Sequence, residues 1–400
     1  MNYLKLLKEN NVVTPCFIIN ENAVSKLSND ISTALKKRWQ NGIIGYSFKT
    51  NNFPWLVSFF KEKGFYAEVV SSDEFDLALE MGYPYDKIIF NGPVKNKDSF
   101  KSAITNGSIV NIDSKRELLW LKEYKLQISE KTKIGIRVNF CIENYCNGES
   151  QCGKEDGRFG FSYENGELKE AIDFLRENQI KIDGLHLHCS SKTRSLNIYK
   201  AISEVASEII NKFQLDLVYV DIGGGFFGGL PNKPSFDEYF EVVYNNLKSH
   251  TNLNVIIEPG MSVIGASIDY ITSVIDIKQT LNNRFAVLDG SRIHIDPIKR
   301  KSLYAYDIIN KTETEQKENV DEIILCGFTC MEDDRFFSLS DSRIEVGDNV
   351  VFRKVGAYTM GLSPQFIEFY PRVYSMSENE LKLVRKKVSA KDFISINRVE

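Results

Sequence analysis

A lysine follows an apolar run in Tyr46-Ser47-Phe48-Lys49-Thr50-Asn51. An amine held in a cavity with apolar walls and neighbouring cations loses its proton readily and becomes the nucleophile that a Schiff base needs. At the end of an ordinary strand the same lysine is a solvated cation. Two later segments bear on the choice. Asp221-Ile222-Gly223-Gly224-Gly225-Phe226-Phe227-Gly228-Gly229 follows a strand, and its glycines let backbone N–H groups approach a phosphate closely. Glu258-Pro259-Gly260 sets a carboxylate at the end of the next strand, where it either forms a salt bridge or pairs with a ring nitrogen and keeps it protonated.

These groups can work together only if their elements converge. Between Gly42 and Pro259 eight short apolar runs recur, each stopped by polar or glycine residues and followed by a stretch of helical periodicity. They are GIIGYSF before Lys49, FYAEVV before Ser71, KIIF before Asn91, SIVNI before Asp113, KIGIRV before Asn139, IDGLHLH ending at His188, LVYVDI before Gly223 and NVII before Glu258. That alternation predicts an α/β fold, a (β/α)8 TIM-like barrel. Lys49, Arg137, His188, Gly223 to Gly225 and Glu258 fall at or near the carboxyl ends of the strands, where such barrels build their sites.

After Ile264 the alternation stops. VIDIK, FAVLD, EIILCGF and NVVFRKV read as strands without long helices between them, a mainly antiparallel β-sandwich or β-barrel domain that the early run PCFIIN can join. The expected division is a barrel over residues 25–263 and a β domain made of 1–24 and 264–400.

The 400 residues are 42% hydrophobic and 26% charged, enough for a large core, and the formal net charge of -4 is spread along the chain. No basic stripe is available to follow a phosphate backbone, so nucleic acid is not an expected partner. No segment reaches the run of about 18 apolar residues that a membrane span needs, and MNYLKLLKENNVVTP lacks the apolar core of a signal peptide. A cytoplasmic protein is expected. Seven cysteines at irregular spacing suit free thiols. Cys141, Cys146 and Cys152 lie close in sequence, but their spacings are wider than zinc sites use and no metal is expected.

YSFKTN, EVVSSDE with Glu68 and Glu74, IGIRVN with Arg137, RFGF, HLHCSS with His188 and Ser191, DIGGGF, EPG with Glu258, GFTC with Cys330 and GAYT with Tyr358 occur in one order across nearly the whole chain. This ordered set resembles the fold-type III pyridoxal-phosphate decarboxylases, the alanine-racemase-like group containing the ornithine, arginine and diaminopimelate enzymes. The resemblance implies pyridoxal 5'-phosphate on Lys49, with His188 against the ring and Glu258 at its nitrogen. Ser191, Gly223, Gly224, Gly225 and Tyr358 would hold the phosphate, and Glu68 and Arg137 would stand beside the cofactor or support those that do. It also implies a homodimer with shared active sites, in which Cys330 reaches in from the partner subunit near the protonation step. The implied reaction is loss of CO2 from an amino-acid substrate and return of a proton by Cys330 or Lys49.

Three positions depart from the diaminopimelate pattern: Met261 and Pro297 stand where those enzymes have arginine, and Met331 where they have an acidic residue. Diaminopimelate is therefore a doubtful substrate on this reading. Arg194, Arg292 and His294 are candidates to receive an acidic or polar tail, and Glu332, Asp333 and Asp334 to replace the missing acid. A racemase on the same barrel is the neighbouring alternative, although alanine racemases set an arginine at the ring nitrogen where Glu258 stands here. A silent regulatory relative would be expected to lose Lys49 or Cys330, and both are present.

Overall fold

The computed structural model describes residues 3–151, 155, 157–299, 304–310, 322–340, 344–378 and 380–398. It divides into two compact units, residues 27–263 and residues 1–26 with 264–400.

In the larger unit eight strands, Ile43–Ser47 (β1), Tyr66–Val69 (β2), Ile88–Phe90 (β3), Ile109–Ile112 (β4), Lys133–Asn139 (β5), Gly184–His186 (β6), Tyr219–Asp221 (β7) and Asn254–Ile257 (β8), pair in parallel. Ile256 pairs with Ile43 and closes the ring. All eight expected runs form barrel strands. They are nearly continuous apolar sequences because both faces are covered: β3 and β4 are buried at every position. A two-residue strand, Phe161–Ser162, adds to the outer end of β5.

Helices connect the strands, and their starts follow local chemistry. Ser71 accepts the N–H of Glu74, Ser114 that of Glu117, and Ser235 forms a reciprocal capping box with Glu238. The helix Leu196–Phe213 buries Ile198, Ile202, Val205 and Ile209, spaced three and four residues apart so that one face meets the core.

The smaller unit is a nine-stranded, mainly antiparallel sheet. Cys16–Asn20 lies inside it, antiparallel to Ile268–Gln279 and parallel to Arg372–Ser377. Its core includes Tyr3, Leu6, Cys16, Ile18, Ile271 and Val351. Four strands, Ala305–Ile309, Arg335–Ser340, Arg372–Ser377 and Glu380–Arg385, were not among the expected runs. Their mixed polar sequences follow from burial on one face only, as the alternating pattern of Arg372–Ser377 shows.

Candidate active site

Polar residues that end the barrel strands meet at one end of the barrel. Lys49 sits in a single 3-10 turn, Phe48–Thr50, whose other two residues are buried, so the lysine alone faces outward with its side chain 37% exposed. Its Nζ lies 3.6 Å from Glu68 Oε2. Glu68, on β2, is fully buried and accepts from Ser47 Oγ at 2.6 Å and from Asn91 Nδ2 at 2.9 Å.

Glu258 follows β8 and is 4% exposed. It accepts from Asn91 Nδ2 at 2.5 Å and lies 3.7 Å from His186 Nε2. One carboxylate oxygen each of Glu258 and Asp221 and one ring nitrogen of His186 lie within 4.8 Å of one another. Burial first, then the neighbouring charges of Asp221 and Glu68, push Glu258 well above the usual carboxylate range. Burial likewise pushes Asp221 up to about 7. Two buried carboxylates this close favour a positive charge brought between them.

Arg137 donates from Nη2 to the carbonyl of His188 at 2.9 Å, and its Nη1 is 3.3 Å from His186 Nε2. Burial and then the Arg137 charge hold both His186 and His188 far below the ordinary imidazole range, so both rings are neutral near pH 7. His188 Nδ1, Arg137 Nε and Asp221 Oδ2 are buried polar atoms without a hydrogen-bond partner, and such atoms are uncommon in a finished interior. A planar cation with polar substituents fits this donor set, since it offers charge to the carboxylates and hydrogen bonds to the orphaned atoms.

The glycine-rich segment packs against the same end. A Cβ on Gly224 would lie 2.1 Å from the Glu258 carbonyl oxygen, so only glycine lets the two loops approach this closely. Ser191 Oγ accepts the N–H groups of Thr193 and Arg194, at 3.1 and 2.8 Å, which bends the chain and aims Arg194 inward. Arg194 then reaches Met261 Sδ with Nη2 at 2.9 Å and lies over the Phe227 ring at 5.2 Å. Glu74, quoted beside Glu68 in the motif, instead accepts the Val70 N–H at 2.9 Å and secures the start of its helix.

The remaining predicted residues belong to the smaller unit. Cys330 and Tyr358 are both exposed, and Tyr358 adopts a left-handed φ of 55°. Arg292 and His294, the expected cations for a substrate tail, both have partners within the smaller unit. Arg292 pairs with Asp296 at 2.9 Å, while His294 is buried, contacts the Tyr270 hydroxyl at 2.6 Å and is pushed down to about 4 by burial. Asp334 is also committed, accepting from Ser291, Thr329 and the Arg292 N–H. Asp333 pairs with Lys299, and Glu332 with Arg335. Of the three neighbouring cysteines, Cys146 is buried with its thiol pushed up to about 11, Cys141 is partly buried, and Cys152 lies outside the described residues.

His186, Asp221, Ser47 and Asn91 were not singled out from sequence as site residues. The signal was present for His186, since residues two apart on a strand share a face and His186 and His188 are so spaced. Asn91 carried only the faint mark of a polar residue directly after an apolar strand.

A family model described as pyridoxal-dependent decarboxylase, pyridoxal binding domain, matches residues 24–265. A diaminopimelate decarboxylase of Aquifex aeolicus is 27% identical over 387 residues, covering 94% of this chain and 89% of the relative. That of Campylobacter jejuni is 26% identical over 410 residues, covering 99% and 98%. The crystal structure of diaminopimelate decarboxylase from M. jannaschii with L-lysine matches 100% of this chain and 94% of that one with a TM-score of 0.84 at 22% identity, a likeness of fold. These relatives do not bear out the expectation that diaminopimelate is doubtful as a substrate.

Proposed function

This chain belongs to the pyridoxal-dependent decarboxylases and removes CO2 from an amino acid with pyridoxal phosphate as cofactor, and from that premise we propose how its residues act and on what. Lys49 is the amine that carries the cofactor aldehyde. Glu258 takes the ring nitrogen, His188 lies against the ring, and Glu68 and Arg137 brace Lys49 and the two histidines. Ser191, the N–H groups of Gly223 to Gly225, and Tyr358 bind the phosphate. When bound, the cofactor supplies the electron sink that accepts the pair left as the Cα–carboxylate bond breaks. Glu258 keeps that sink effective by holding positive charge at the nitrogen. His186 and His188, being neutral, leave the pocket's positive charge to Arg137 and Lys49. Lys49, and Cys330 of a second copy, are the groups that return a proton to Cα.

The substrate proposed is diaminopimelate, whose far end carries an ammonium and a carboxylate. The contact of Arg194 with Met261 carries this reading: it returns a guanidinium to the place where the relatives' pattern has arginine and this chain has methionine. From there the guanidinium can bond a substrate carboxylate, a charge-assisted contact worth about 1.5–3 kcal/mol. Incubating the enzyme and cofactor with a panel of L- and D-amino acids, and following CO2 with product identity, tests it. Lysine from diaminopimelate is expected, and CO2 from other amino acids only would overturn the substrate. Arg194→Ala should weaken substrate or cofactor binding at least about tenfold, or about 1.4 kcal/mol. Steady-state kinetics and cofactor titration measure this, and wild-type values for both would retire the role.

A homodimer with shared sites is also proposed, supported by the GFTC and GAYT motifs standing outside the barrel. Mixing inactive Lys49→Ala with inactive Cys330→Ala subunits should restore part of the activity, because each mixed dimer regains one intact site. No recovery after proven subunit exchange would count against sharing. Cytoplasmic residence is supported by the free state of the six described cysteines, and no described helix is long and apolar enough to cross a membrane.

A further inference from the structure

Inside the barrel a chain of hydrogen bonds runs up to the two carboxylates, and the roles assigned above make no use of it. Tyr219 Oη donates to Asn111 Oδ1 at 2.8 Å, and Asn111 Nδ2 donates to Asn91 Oδ1 at 2.8 Å. Asn91 Nδ2 then donates to both Glu68 Oε1 and Glu258 Oε1, at 2.9 and 2.5 Å. All five residues are buried.

The carboxylates fix the direction of this chain. Both carboxyl oxygens that face Asn91 accept from it, so Asn91 turns its amino group toward them and its oxygen toward Asn111. Asn111 must then present its amino group to Asn91 and its oxygen to Tyr219, whose hydroxyl can only donate. Every dipole therefore points its positive end at Glu68 and Glu258.

The barrel makes room for this at two glycines. Asn111, Gly135, Gly184 and Tyr219 stand side by side in register on β4 to β7. A Cβ on Gly135 would lie 2.1 Å from Asn111 Oδ1 and 2.3 Å from Tyr219 Oη, and one on Gly184 would lie 2.3 Å from the phenol ring. The ring thus crosses two strands through space that any larger residue would fill.

We propose that Asn91, oriented by Asn111 and Tyr219, is a positioning residue that holds Glu258 as a charged acceptor and so keeps the proton on the cofactor's ring nitrogen. The inference rests on the assignment of Glu258 to that nitrogen. Burial and the nearby Asp221 and Glu68 charges favour a proton on Glu258, which would leave the ring neutral and weak as an electron sink. A short hydrogen bond donated to the carboxylate opposes them by stabilising its charged form. Because one amide serves both carboxylates, the same residue also fixes Glu68 beside Lys49.

The test reconstitutes the enzyme with pyridoxal phosphate labelled with 15N in the ring and records the nitrogen resonance alongside kinetics. In the wild type the resonance is expected in the protonated range. In Asn91→Ala it should move toward the unprotonated range, with kcat lower by about 10- to 100-fold, the range of a lost hydrogen bond to a charged group, and KM within about twofold. Tyr219→Phe keeps the ring and its packing, and should shift the resonance the same way by less. It carries the test if the Asn91 variant does not fold. An unchanged resonance in the variants, while Glu258→Ala loses the protonated signal, overturns the inference alone. An unprotonated nitrogen in the wild type would remove the Glu258 assignment and the inference with it.

Discussion

Lys49→Ala is expected to bind pyridoxal phosphate without covalent attachment and to lose at least about 1,000-fold in kcat, since one residue serves as both nucleophile and proton carrier. The apoprotein should still fold. Lys49 is partly exposed, and without it the buried Glu68 keeps Ser47 and Asn91 as donors. Borohydride reduction of the wild type followed by peptide mapping locates the attachment. Labelling of another lysine, or of none after incubation with the cofactor, would sink the assignment.

The largest effect on stability is expected at Lys95, a residue with no assigned contact to the cofactor. Its Nζ is fully buried and its donors are all used: 2.9 Å to the Gly92 carbonyl, 3.0 Å to the Asn111 carbonyl and 2.9 Å to Glu117 Oε2. Glu117, equally buried, also accepts the Asp113 N–H at 3.1 Å. The pair ties the segments that follow β3 and β4 together. Lys95→Met would leave Glu117 charged in the interior with no cation beside it, only the Asp113 N–H and Ser114 Oγ as donors, at a cost of about 3–5 kcal/mol. Replacing both, Lys95→Met with Glu117→Leu, should recover much of that loss, because the penalty belongs to the orphaned charge. Urea unfolding of the apoproteins measures both. A loss below about 1 kcal/mol in the single variant would mean that the pair relaxes into water.

This pair also marks where reading from sequence fails. Lys95 sits in VKNKDS and Glu117 in SKREL, runs of charge that look like solvated helix starts. Nothing local tells which of several lysines turns inward, since that depends on the carbonyls a neighbouring strand offers. The barrel itself was legible because parallel strands covered on both faces leave continuous apolar runs. The strands of the other sheet were only half legible, for RVYSMS is held on one side by the distant Cys16–Asn20 and on the other by its sequence neighbour ELKLVR, and neither has a continuous apolar run. Lys49, His188 and Glu258 could be read because they end such runs. Asn91 and Tyr219 could not, because the hydrogen bonds that connect them run across the barrel and leave no periodicity along the chain.

One feature of the smaller sheet bears on the order in which the protein can be made. Ile19 pairs with Ile268 and Cys16 with Arg372, so the strand Cys16–Asn20 has no neighbour until about two thirds of the chain is made and lacks its second until almost all of it is. The barrel's strands, in contrast, find partners in sequence order, and only its closure by β8 against β1 is long-range. During synthesis the barrel can therefore assemble while the first strand waits with both edges open, which makes that strand the segment most exposed to chaperones and to mispairing between nascent chains.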